Sequence, residues 1–252
     1  MNKFAAVATA ALAASAAVAV PGTINQKRGD ITWQRGSKTY ALSYKQGNMT
    51  AQQEIPLNSV QSLDVDKPAN YDKLVAMVDG GQGAGAIAGL TQIVQTYRML
   101  VWDKPAARYL VEAYISANNY QKAYDAAQSI ISEDKAAAFT GPLAPAYWKA
   151  LLGLGKNVQL ENCLNKAATS GDRASSAAAL VMRGDLLLAT KGDGQDICRK
   201  ALIDSYLRVV LMYTDEPCRS VRSEAMIKAA DCFHKLSMIS REEKMRAQAT
   251  PL

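Results

Sequence analysis

Aromatic side chains are scarce in this 252-residue sequence, at 7%, and there is one histidine, His234. Much of the apolar 49% is alanine, and small side chains let helix axes approach closely, so the composition favours packed helices over a β-sandwich. With a single histidine and no Cys-x-x-Cys pair, a zinc site is not expected. Gly-Lys-Ser/Thr is absent, which excludes the mononucleotide P-loop. The formal charge is +6, yet no run of five Lys or Arg occurs. Nucleic-acid binders concentrate charge on one face or groove, so no nucleic-acid partner is expected. Beyond the first twenty residues, no apolar run is long enough to cross a bilayer.

The first residues, "MNKFAAVATAALAASAAVAVPG", supply Lys3 as a short positive region and an apolar stretch from Phe4 to Val20. Ala17-Val18-Ala19 offers an A-x-A cleavage site, with Ala14-Ser15-Ala16 as an alternative just upstream. Residues 1–19 therefore read as a signal peptide. The stretch is short and weakly hydrophobic for an anchor, and no cysteine near the cleavage point could carry a lipid. The mature protein is expected to be exported, periplasmic or envelope-associated, with no stable membrane span.

From Gly29 to about Asp66 the pattern is β-like. "DITWQRG" and "KTYALSY" are separated by Gly36-Ser37, Gly47-Asn48 marks a second turn, and "MTAQQEIPL" and "VQSLDV" follow. Residues 29–66 are thus expected to form a small antiparallel β segment. After Lys67-Pro68 the texture becomes helical, with connecting helices and a Gly-rich turn over 70–103. "AIAGLTQIVQTYRML" places Ile87, Leu90, Ile93, Val94, Tyr97 and Leu100 at helical spacing. Helix pairs of similar length then succeed one another to the C-terminus, the signature of stacked units that cannot bury their own faces.

"VDGGQGAGAIAGL" contains Gly81-x-Gly83-x-x-Ala86, the loose form of a dinucleotide fingerprint, and Asp103 follows about 20 residues later. A strand "KLVAMVD" before it would complete the motif. No convincing strand follows Asp103, so the doubly wound sheet such a site needs cannot be built. A flexible connection leading into a helix, with Gly85 and Gly89 in close contact with a neighbour, is the simpler account. A nucleotide-dependent enzyme using Gly81 to Gly85 stands as the second alternative function, and no cofactor is expected.

The segment "ARYLVEAYISANNYQKAYDAAQSII" resembles a tetratricopeptide repeat. Leu110 and Val111 fill its Leu-Gly positions and Tyr114 its tyrosine, while Ala123, Ala127 and Ile130 supply the second helix. "APAYWKALLGLGKNVQLENCLNKA" repeats the pattern with Leu151, Gly155, Leu160, Leu164 and Ala167. "MRGDLLLATKGDGQDI" keeps Gly184 and Leu187 but carries Arg183 for leucine, and its longer turn delays the next helix. "RSEAMIKAADCFHKLSM" follows with Ala229, Ala230 and Phe233. The resemblance covers roughly 104–250 and implies a mainly α fold: a helical-hairpin superhelix behind the small N-terminal β segment, similar to bacterial envelope repeat proteins.

In such families the first helix of each pair lines a concave groove that binds peptides or partner proteins. Carried over, those positions are Arg108, Glu112, Asp185, Asp231, His234 and Lys235. Their mixed signs suit a polar peptide better than a nucleic-acid backbone. His234 and Asp231 share a helix face, but no second base or placed nucleophile accompanies them, so no catalysis is expected. The expected function is non-catalytic protein–protein binding or scaffolding in the cell envelope, with a peptidoglycan- or glycan-associated factor as the first alternative. The oligomeric state is left open.

Four cysteines, Cys163, Cys198, Cys218 and Cys232, lie in the last third and allow three complete pairings. If the helix ending near Tyr213 and the one starting near Cys218 run antiparallel, Cys198 and Cys232 lie at similar height and are the pair expected to bridge or touch. Buried free thiols are the alternative.

Overall fold

The computed structural model describes residues 18–249; most of the expected signal peptide, including its apolar stretch up to Ala17, lies outside them. The chain divides into two compact units, one ending at Asp66 and the other beginning at Lys67.

The first unit is a five-stranded antiparallel sheet. Its strands are β1 (Val20–Ile24), β2 (Lys27–Gln34), β3 (Thr39–Gln46), β4 (Met49–Pro56) and β5 (Leu63–Val65), in the order β4-β3-β2-β1-β5. Period-two alternation sends one set of side chains to a single face. The register sets Val20 opposite Ile31, Ile31 opposite Leu42, and Trp33 opposite Tyr40, all of them buried. The Trp33 and Tyr40 rings lie 4.9 Å apart, a tilted cross-strand pair. Pro56, which lacks a ladder donor, ends the edge strand β4. The sheet begins nine residues before Gly29, correcting the expected boundary. Val20 and Ile24 supply alternating buried positions there, hidden in the sequence by the apolar run before them and by Pro21-Gly22 between them.

The second unit is mainly α, a succession of helical hairpins. A first pair, α1 (Tyr71–Asp79) and α2 (Gly83–Thr96), turns at Gly80-Gly81-Gln82, with Gly81 at φ +76°. The glycine stretch therefore joins two helices. Residues 73–79 are helical rather than the strand a dinucleotide loop requires. The small positions serve packing: a Cβ on Gly83 would lie 3.1 Å from the Cα of Ala113, and one on Gly89 would lie 2.8 Å from the Leu74 methyls.

The hairpins that follow are α3 (Asp103–Ser116) with α4 (Tyr120–Ile131), and α5 (Leu143–Gly153) with α6 (Asn157–Ala168). Asn119 caps α4 by accepting from the Lys122 amide at 3.1 Å. Ala123, Ala127, Leu160, Leu164 and Ala167 are fully buried, and on the second helices they permit the close crossing.

The next helix, α7 (Arg173–Lys191), is longer than its predecessors, and its two sides enter two cores. Ala178, Ala179 and Met182 join the core shared by α1 to α6, while Ala177 and Val181 join the C-terminal core. Its partner arm is α8 (Gln195–Ala201), a π-helical turn over Leu202–Tyr206, and α9 (Leu207–Met212). α10 (Arg219–Lys235) and α11 (Ile239–Gln248) complete the unit. No described helix is long and apolar enough to cross a membrane.

Candidate functional site

The first helices of successive hairpins, α3, α5, α7 and α10, lie side by side, and together they bound a groove of about 350 Å³. Each contributes differently. α3 offers Arg108 and Glu112, one turn apart on one face; α5 offers Pro145 and Lys149; α7 offers Ser175 and Ala178; α10 offers Val221 and Glu224. The pattern follows from hairpin geometry: the second helices bury their small faces against the first, leaving the far side of each first helix to the groove.

Charges of opposite sign alternate along this wall. Arg108 Nε donates to Glu112 Oε1 at 3.1 Å. Lys149 Nζ stands 3.8 Å from Glu224 Oε1, joining α5 to α10, and Lys228 Nζ stands 3.9 Å from the same oxygen. Burial works against the Arg108 charge, but the Glu112 carboxylate, by attraction and hydrogen bond, more than restores it, so Arg108 stays cationic. The guanidinium also lies 5.0 Å from the centroid of the Tyr109 ring. At one end of the groove, Ser175 is buried, donates to Asp172 Oδ2 at 2.5 Å and accepts from the Gly141 amide at 3.3 Å. That bond ties the turn before α5 to the first turn of α7.

Of the six residues picked out by sequence, the structure brings Arg108 and Glu112 into this groove. The other four lie elsewhere. Asp185 accepts from Tyr206 Oη at 2.8 Å and Lys228 Nζ at 2.9 Å, lining a second cavity of about 180 Å³ with Cys198, Asp231, Cys232 and Lys235. Lys235 pairs with Asp193 at 2.7 Å in the turn before α8. Asp231 pairs with Arg246 at 2.7 Å, and His234 Nδ1 lies 2.8 Å from Glu242 Oε2, so both reach toward α11.

The groove also contains residues the sequence reading passed over: Lys149, Ser175, Val221 and Glu224. A signal for Lys149 was present. The offset that carries Leu160 and Leu164 onto Ala123 and Ala127 is 37 residues, and the same offset carries Arg108 to Pro145 and Glu112 to Lys149. Both partners line the groove. Glu224 lies beyond the irregular third hairpin, where that spacing is lost.

No family model matches the chain, and no curated protein matches it. Among solved structures, the chain is similar to a protein of Podosopora anserina described as kinesin light chain nearly identical TPR-like repeats, at 12% identity and a TM-score of 0.42, covering 72% of this chain and 92% of that one. A variant of the same protein gives 12% identity and a TM-score of 0.43, covering 72% and 91%.

Proposed function

We propose that this chain is a non-catalytic binding or scaffold protein of the bacterial cell envelope, holding an extended polar peptide or partner segment in the groove of its helical hairpins. The observation that carries the reading is the alternation of Arg108, Glu112, Lys149 and Glu224 across three helices around an apolar stretch that includes Pro145, Ala178 and Val221. Such a wall presents donors and acceptors in turn, suiting a chain that carries both signs and backbone amides. A polyanion would meet Glu112 and Glu224 as repulsive groups. The two ion pairs are partly exposed, so an incoming peptide can exchange with them at little cost.

Export belongs to the same proposal. The leader reading rests on Lys3, the apolar stretch and Ala17-Val18-Ala19. Cleavage after Ala19 would leave Val20, the first residue of β1, at the new terminus. Fractionation of a bacterial culture expressing the full chain, with the secreted form's N-terminus sequenced, checks this. Retention of the intact chain in the cytoplasm would overturn it.

The groove is tested with a displayed library of random peptides panned against the full chain and against an Arg108→Ala, Lys149→Ala variant. Peptides of a shared sequence pattern should be recovered on the native protein and bind the variant at least about tenfold more weakly. Equal binding to both proteins would remove the groove from consideration.

A further inference from the structure

The fold distributes its four buried thiols unequally. Cys163 belongs to the first helical core, beside Tyr147. Cys218 donates to Asp215 Oδ2 at 3.4 Å. Cys198 and Cys232, by contrast, share the wall of the 180 Å³ cavity, one from α8 and one from α10. The Cys198 thiol donates to the carbonyl of Asp193 at 3.2 Å, which turns its sulfur lone pairs away from that bond. Cys232 lines the same cavity wall and is close enough for the two groups to feel each other electrostatically. Burial first, then the neighbouring Cys198, pushes the Cys232 thiol up to about 12, so Cys232 at rest is suited neither to act as a thiolate nucleophile nor to ligate a metal. Two buried thiols on one cavity wall, carried by different helices, have another use.

We propose that Cys198 and Cys232 are a disulfide-forming pair, oxidised by an exchangeable disulfide to a single bond that fastens α8 to α10. The chemistry balances as thiol–disulfide exchange. One thiol loses its proton and attacks a sulfur of the oxidant disulfide, releasing one oxidant thiol and leaving a mixed disulfide. The second thiol loses its proton and displaces the other oxidant sulfur. The Cys198–Cys232 bond forms, and two electrons and two protons end on the oxidant as two thiols. Because both cysteines are almost wholly buried, exchange takes place while the last hairpins are docking or transiently open.

The bond closes a loop between residues 34 positions apart and links two helices that α9 separates in sequence. Helix α10 also carries Val221 and Glu224, so the bond would fix the last wall of the groove. It goes beyond the peptide-binding reading and does not depend on it.

The test is to refold the full reduced chain in a mixture of reduced and oxidised glutathione, block free thiols with maleimide, and map tryptic peptides without reduction. Cleavage after Lys and Arg places Cys198 in 192–199 and Cys232 in 229–235, with Cys163 and Cys218 in two further peptides. The expected result is a linked 192–199/229–235 species with Cys163 and Cys218 carrying maleimide. Recovery of Cys198 and Cys232 as blocked monomers, or linked to the other cysteines, would overturn the proposal. Oxidation should raise the thermal midpoint by about 5–10 °C, and the gain should vanish in Cys198→Ser. If that variant does not fold, the comparison is made on the native chain with and without reductant, where an unchanged midpoint would overturn the fastening role.

Discussion

The hydroxyl of Tyr206 donates to Asp185 at 2.8 Å while its ring lies against the Cα side of Gly184, the residue just before that aspartate. The π-helical turn over Leu202–Tyr206 sets the ring at this height, and Gly184 leaves the room for it. Helix α7 and its partner arm thus meet through one aromatic side chain that fills space and satisfies a half-buried carboxylate. Burial, reinforced by Asp185, raises the phenol's pKa, so it remains a donor across the working pH range.

Replacing Tyr206 by Phe removes that donor and leaves Asp185 its bond from Lys228. The expected loss is about 1–2 kcal/mol in denaturant unfolding, with the helical content of the native state retained. A variant as stable as the parent would show that water replaces the hydroxyl fully.

Gly184→Ala tests the other half of the contact. A Cβ there would stand 2.6 Å from two ring carbons of Tyr206, itself fully buried, so the ring or the helix must shift. About 1–3 kcal/mol of destabilisation is expected. Combining it with Tyr206→Leu should cost less than the sum of the single changes, because the smaller side chain relieves the clash. Strict additivity would contradict direct contact.

Asp103 gives the fold a pH dependence of unusual sign for a carboxylate. It is 2% exposed and accepts from the amides of Met99 at 2.8 Å and Lys104 at 2.7 Å. Burial nonetheless outweighs these bonds and raises its pKa from 3.8 to about 6. The folded state therefore holds this proton more tightly than the unfolded chain. Its contribution is greatest below the unfolded value and is lost as pH rises through the folded one, by at most about 3 kcal/mol. As pH rises from roughly 4 to 6 and beyond, the unfolding free energy of the native chain should fall relative to that of Asp103→Asn, which has no proton to lose. Parallel curves would mean that Asp103 titrates normally.

Helix α11 has no fully buried residue and is held largely through long side chains. Arg246 bridges Asp231 at 2.7 Å and Glu242 at 3.1 Å, and His234 meets Glu242 at 2.8 Å. The His234 hydrogen bond, with Arg246 behind it, holds the Glu242 carboxyl below its usual range. A depressed carboxylate contributes at neutral pH and loses its contribution as pH falls through the folded value. Hydrogen-exchange protection in 239–248, taken relative to the intrinsic rate at each pH, should fall on acidification, in high salt and in Arg246→Ala, with protection of 103–153 unaffected. A uniform loss of protection throughout would instead mean that α11 is integral to the whole helical unit.

Much of the architecture was legible because it rests on spacing. Gly36-Ser37 and Gly47-Asn48 punctuate strands whose alternation places Ile31, Trp33, Tyr40 and Leu42 on one face, and the structure has those strands. Ala123, Ala127, Leu160 and Leu164 mark second helices by size and period alone. Strand β1 escaped notice because Pro21-Gly22 interrupts it and alternation cannot be seen next to a continuous apolar run. The π-helical turn has no composition signal; it follows from fitting Tyr206 over Gly184. The site was less legible for a related reason. Offset selects which helix face a residue occupies, which sufficed for Arg108 and Glu112. It does not reveal that Arg246 and Asp193 draw Asp231 and Lys235 toward other elements, because such pairs depend on where distant helices end.

Strand β1 lies between β2 and β5, and β5 is paired through β1. The first described strand in the chain is therefore an interior member of its sheet, contacted on both sides by segments made after it. Trimming a few residues past Val20 would remove the pairs Val20–Ile31 and Gly22–Val65 and leave β5 without its ladder. At this end a tag or a cut should be tolerated upstream of Val20 and not beyond it, and a nascent molecule must keep this end accessible until residue 65 has emerged before the sheet can close.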